Sequence, residues 1–186
     1  MKTFVRIWML LAILVSFTTC DTDNYWEEAY FDCVFEAQTA PQGYFFQSRD
    51  YTLRDIYFEY DDVYGEIQDI YLRKASIEIE CLAPNAKTGN DYIEYIKVDV
   101  SGFGSFIFSD LNYNMQFGRK NIIILENPNF DKFMQDVMVY LFNNDYNAGR
   151  YTRIAIDASL VTYGAYYYPL KISLLNNLDV KVRDYY

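Results

Sequence analysis

The run IQDIYLRKASIEIECL, residues 67–82, is the clearest guide to the fold. From Lys74 onward it alternates strictly. Ala75, Ile77, Ile79 and Cys81 fall on one side, and Lys74, Ser76, Glu78 and Glu80 on the other. Successive side chains of a strand point to opposite faces, so a period of two with one apolar face predicts a strand half-buried against a core. Residues 92–101 repeat the pattern with Ile96, Val98 and Val100 inward. Between the two runs lies the turn-forming cluster Pro84-Asn85-Ala86-Lys87-Thr88-Gly89-Asn90, so together they predict a hairpin with a long loop.

Working outward, residues 30–37 (YFDCVFEA) place Phe31, Cys33, Phe35 and Ala37 on one face and Asp32 and Glu36 on the other, a single strand. Thr39 to Gly43 reads as a turn and Tyr44–Gln47 as a short strand. Residues 51–60 (YTLRDIYFEY) fit helical and strand spacing equally; the aromatic content favours a strand. Short strands are expected at 105–109, 112–117 and 120–125. The run Ile122–Leu125, apolar on both faces, predicts a central, covered strand. Arg150–Val161 is a strand with Ile154, Ile156, Ala158 and Leu160 inward. Leu170–Leu175 and Leu178–Val182 read as a pair turning at Asn176-Asn177.

One helix is expected, at about 129–143. Asn127-Pro128-Asn129 supplies a cap and a first-turn proline. Phe130, Phe133, Met134, Val137, Met138 and Leu141 then form one apolar stripe before Asn143-Asn144. The sum is a mostly-β chain: an antiparallel two-sheet β-sandwich, immunoglobulin-like in architecture only, with a single crossover helix.

Composition narrows the chemistry. The chain has 20 Tyr and 14 Phe, which suit pleated, half-buried surfaces. It has no histidine, which removes Ser-His-Asp and Cys-His catalysis and any His-ligated zinc site. Carboxylate pairs for glycoside hydrolysis can be imagined among 26 acidic residues, but no two are marked by spacing. The acidic run Asp55, Glu59, Asp61, Asp62, Glu66 and Asp69 matches no calcium loop. The segment 143–149 lacks the glycine and final glutamate that such a loop needs. No metal and no cofactor is expected.

The first twenty residues address the chain. Lys2 and Arg6 precede the nine-residue apolar run Ile7–Val15, and Ser16-Phe17-Thr18-Thr19 leads to Cys20. This is the layout of a secretory signal and falls short of the roughly 20 apolar residues of a membrane span. Phe17-Thr18-Thr19-Cys20 resembles the loose lipobox of Bacteroidota-type envelope lipoproteins, and the acidic stretch Asp21 to Glu28 is similar to the tract that follows the cysteine in that family. The resemblance implies cleavage after residue 19, lipid on Cys20, and an outer-membrane or cell-surface location. Asp21 directly after the cysteine keeps the periplasmic face of the inner membrane open as the alternative. The expected division is a signal at 1–19, an acidic tether at 20–28 and one domain at 29–186. Without Lys2 and Arg6 the basic residues fall from 16 to 14 against 26 acidic, a net charge of −12. Nucleic acid, whose phosphates require Lys and Arg, is not an expected partner.

Two further groups of residues stand out. Cys33 and Cys81 lie on apolar strand faces, as buried thiols or as a disulfide. Tyr166-Tyr167-Tyr168, before Pro169, cannot all face the core of a strand and are the sequence's candidate contact for a protein or glycan partner. The function that fits best is a lipid-anchored, non-catalytic binding or assembly module. A glycan-binding accessory lipoprotein, or a carboxylate-based glycosidase, are the alternatives.

Overall fold

The alternating runs fold as the two layers their apolar faces demand. The computed structural model describes residues 24–38, 43–59, 65–82, 92–111, 113–114, 120–148, 150–161 and 169–183. The strands are β1 (Asn24–Tyr30), β2 (Cys33–Gln38), β3 (Tyr44–Tyr51), β4 (Tyr57–Phe58), β5 (Glu66–Leu82), β6 (Tyr92–Val100), β7 (Gly104–Phe108), β8 (Tyr113–Asn114), β9 (Lys120–Leu125), β10 (Thr152–Val161) and β11 (Pro169–Arg183). The helix is α1 (Pro128–Ala148). One sheet runs β4-β1-β11-β5-β9, with β2 continuing along β11 beyond β1; the other runs β3-β10-β6-β7, with β8 beside β6. Every pairing is antiparallel. The inner faces enclose Phe31, Phe35, Phe45, Ile77, Ile79, Ile93 and Ile96, and α1 adds Phe130, Met134 and Met138. Among the described residues this is a β-sandwich with one α-helix.

The β5 alternation holds inward at Ala75, Ile77, Ile79 and Cys81, then changes phase. Lys74 pairs with Asn177 and Leu72 with Leu178, so Arg73 is an extra residue in a bulge. Arg73 and Lys74 are therefore both exposed, and the inner row resumes at Leu72 and Ile70.

The predicted β5–β6 hairpin does not form: the two strands lie in different sheets. Both inner faces are wholly apolar, and stacking them across the core buries both, which edge-to-edge pairing would not. The C-terminal pair is likewise one continuous strand. Leu170, Ile172, Leu174, Asn176, Leu178, Val180 and Val182 are all buried, so the alternation runs through the Asn-Asn signal without losing phase. Asn176 instead bridges the gap between β1 and β2. Its Nδ2 donates to the Phe31 carbonyl at 2.7 Å, and its own carbonyl accepts from the Phe31 amide at 3.0 Å. That gap splits the strand expected at 30–37, although Phe31, Cys33 and Phe35 all stay buried.

Residues 51–59, the described part of the stretch 51–60, fold mostly as neither candidate. Thr52 caps a short 3-10 turn at Leu53–Asp55: Arg54 N donates to Thr52 Oγ1 at 3.2 Å, and Thr52 N donates to Asp55 Oδ2 at 2.7 Å, a capping box. Residues 24–28 are not tether. They pair with β11 from Asn24 opposite Arg183 to Glu28 opposite Asp179. Among the described residues β9 is an edge strand, not a central one.

Helix α1 begins as expected, with Asn127 Oδ1 accepting from the Asn129 amide at 2.8 Å. It continues past Asn143-Asn144 to Ala148, so the segment 143–148 is helix and not a calcium loop. It lies where β9 leaves off: β9 covers only Ile77–Leu82 of β5. Beside it, Ala75 N donates to Asp131 Oδ1 at 2.8 Å and Leu72 N to Gln135 Oε1 at 2.6 Å. Helix side chains thus cap the backbone of an open strand edge. Phe106 and Phe108 of β7 pack on Phe130 with ring centroids 5.2 and 5.0 Å apart, so α1 closes the side between the two sheets.

Candidate functional site

The outer face of the β1-β11-β5 sheet carries an unusual set of side chains. Trp26 on β1 is 51 % exposed and Tyr71 on β5 is 58 % exposed. Register fixes their relation: Trp26 lies opposite Lys181, which lies opposite Asp69, and Glu28 lies opposite Asp179, which lies opposite Tyr71. The two rings therefore flank β11 diagonally, with Cα atoms roughly 12 Å apart from strand spacing and rise. Gln135 and Val139 of α1 form a wall. Together with Trp26, Asp69, Tyr71, Arg73 and Asp179 they line a cleft of about 740 Å³ open to solvent, within the size range of small-molecule sites.

Arg73 organises the floor. The bulge points it outward, where its Nε donates to Asp179 Oδ2 at 2.8 Å and Nη2 meets Asp179 Oδ1 at 2.5 Å. Nη1 reaches Glu28 Oε2 at 3.0 Å. One guanidinium thus joins β5, β11 and β1, the two-pronged geometry that arginine makes and lysine cannot. Its hydrogen bonds to Asp179 hold it above the ordinary arginine value. Tyr30 OH reaches Glu28 Oε1 at 3.3 Å, and the Tyr30 ring stacks on Tyr57 at 5.5 Å. Tyr57 OH donates to Asp32 Oδ2 at 2.5 Å. Desolvation, then that hydrogen bond, push its pKa up to about 12. The result is an aromatic and hydrogen-bonding face on which Arg73, Glu28 and Asp179 are paired with one another.

Cys20 and Tyr166, Tyr167 and Tyr168, the sequence's own candidates, lie outside the described residues. The disulfide is not formed: Cys33 and Cys81 are free and buried. Cys33 sits opposite Leu174 and Cys81 opposite Leu170, on opposite sides of β11. That places them two strand spacings and four residues apart, roughly 16 Å, well beyond disulfide reach. Burial pushes the Cys33 thiol well above its ordinary value. Trp26, Tyr71 and Arg73 are not singled out by the sequence reading. The one signal it holds is an aromatic residue on the polar side of an alternating run, Tyr71 between Asp69 and Arg73.

Among the described residues no three His, Cys, Asp or Glu side chains converge as a metal site would require. No described helix is long and apolar enough to cross a membrane. No family model matches the chain, and no curated protein matches it. Among solved structures it is similar to the decameric BFDV capsid protein, at 9 % identity and a TM-score of 0.40, over 85 % of this chain and 99 % of that one. A likeness of this strength says nothing of function.

Proposed function

We propose that the protein is a lipid-anchored, non-catalytic binding module of the cell envelope, and that it holds a carbohydrate chain in the cleft between α1 and the β1-β11-β5 face. The observation that carries this is Trp26 and Tyr71, two large exposed rings held on one sheet beside a guanidinium–carboxylate network. Sugar rings offer apolar C–H faces that stack on aromatic faces, and hydroxyls that hydrogen-bond to planar charged groups. The spacing of the rings suits a ligand of more than one sugar unit. A glycosidase needs two carboxyl groups facing each other across the scissile bond. Here Glu28 and Asp179 are both engaged by Arg73, which favours binding over hydrolysis. A protein partner is the second reading, because Trp, Tyr and Arg together are the residues that dominate interface energetics. Anchoring through lipid on Cys20 rests on the signal-like run before it.

The test is a glycan array probed with the protein and with Trp26→Ala/Tyr71→Ala. Both side chains are largely exposed, so the variant should keep its melting temperature and lose binding. An array with no binder, or a double variant that binds like the parent, refutes the carbohydrate reading. Cys20→Ser should move the protein out of the membrane fraction; retention there refutes the anchor.

A further inference from the structure

Among the described residues, β9 has a strand neighbour on one side only, β5. Its other side presents a row of backbone N–H and C=O groups, a template on which another strand can add. Among the described residues the usual protections are missing. The strand has no proline, no charge between Asn121 and Leu125, and an unshifted register with β5. Two other open edges do carry protection: Asp131 and Gln135 cap β5, and the edge strand β3 carries exposed Arg49 and Asp50. On the outer face of β9, Ile122 and Ile124 are 56 % and 55 % exposed.

We propose that β9 pairs antiparallel with β9 of a second copy of this chain, about a two-fold axis at Ile123. The strand's own pattern selects this occupant. In that register Ile122 lies opposite Ile124 of the second copy, and Ile124 opposite its Ile122. Lys120 lies opposite Glu126 at both ends, so apolar meets apolar and each charge meets its opposite. An isologous contact requires this self-complementarity, and cross-strand pairs of β-branched residues stabilise it. Glu126 pairs with Lys74 at 2.8 Å within the chain, but both side chains are 53 % exposed. Such a pair is weakly held and can be shared. Beside the strand, Phe108, Leu111, Ile124, Leu125 and Glu126 line a cleft of about 460 Å³, where side chains of the second copy can seat. The surface is separate from the cleft beside α1.

The test is cross-linking in membranes of cells co-expressing two tagged full chains, one Ile122→Cys and one Ile124→Cys. A mixed disulfide should form between them, and neither variant expressed alone should cross-link, because equal positions lie out of register. The native Cys33 and Cys81 are buried and do not compete. In parallel, the full chain in detergent should have a dimer's protein mass, and Ile124→Lys a monomer's at unchanged melting temperature. Glu126→Lys should weaken the dimer, and adding Lys120→Glu should restore it. A monomeric parent, cross-linking of either variant alone as strong as the mixed product, or a dimer that survives Ile124→Lys overturns the proposal. If Ile124→Lys fails to fold, the cross-linking pattern still decides.

Discussion

Asp131 is one turn into α1, yet its main partner is a strand. Its Oδ1 accepts from the amide of Ala75, a fully buried residue on the stretch of β5 that β9 leaves uncovered. Asp131→Ala removes that acceptor and strands the amide where water has poor access. A hydrogen bond to a charged group contributes about 1.5–3 kcal/mol. Losing an acid from the first turn of a helix costs a further 0.3–1 kcal/mol or so. The expected destabilisation is therefore about 2–4 kcal/mol, which lowers Tm by roughly 4–16 °C in a domain of this size. Asp131→Asn keeps a carbonyl in the same place and should cost about 1 kcal/mol or less. Urea unfolding measures both values. Amide hydrogen exchange adds a local readout, because the Ala75 amide should lose protection in the alanine variant and keep it in the asparagine variant. If Asp131→Ala lies within about 0.5 kcal/mol of the parent, or if Asn is as damaging as Ala, the edge of β5 is not held by this side chain.

Three further expectations follow from burial and ionisation. Met134 is fully buried, so Met134→Asp places an unpaired carboxylate in the core at a cost of several kcal/mol; loss of the cooperative melting transition checks it, and a normal melt refutes it. Tyr57 ionises near pH 12 instead of 10.0, so its folded value is raised. It stabilises the fold fully below pH 10, and that contribution is lost as pH climbs toward 12. The effect is small because the ring is half exposed. Tyr57→Phe should remove a late step from the tyrosinate absorbance titration, and removal of a step near pH 10 instead would refute the Asp32 hydrogen bond. Cys33 and Cys81 are buried free thiols, so neither should react with a thiol reagent until the protein unfolds, and rapid labelling of the native fold would contradict the packing.

Local alternation makes most strands legible in the residues themselves. The inward rows at Ala75–Cys81, Ile96–Val100 and Ile154–Leu160 are buried as their pattern predicts, and so is the helical stripe from Phe130 to Leu141 apart from Phe133, which is partly buried. These patterns are short-range consequences of strand and helix geometry. The expectations that the fold overturns are of another kind. Asn176-Asn177 has turn chemistry, but an unbroken period of two and a buried amide that ties β1 to β2 keep it in a strand. Ile122–Leu125 reads as covered on both faces, yet nothing local to six residues says which strands will flank it. The sequential neighbours β5 and β6 are expected to pair, and the need to bury two apolar faces sends them to opposite layers.

The candidate site is illegible for a related reason. Trp26, Tyr71 and Arg73 come from two strands that are neighbours only through β11, the last strand of the described chain. Arg73 points outward only because a bulge, set by the register with β11, shifts the phase of β5. By itself the sequence determined the layers, because which face of each strand is apolar is written into its alternation. Strand order, the edge at β9 and the grouping of the cleft were decided only in the tertiary structure, because they depend on which apolar faces and backbone edges find one another across distant parts of the chain.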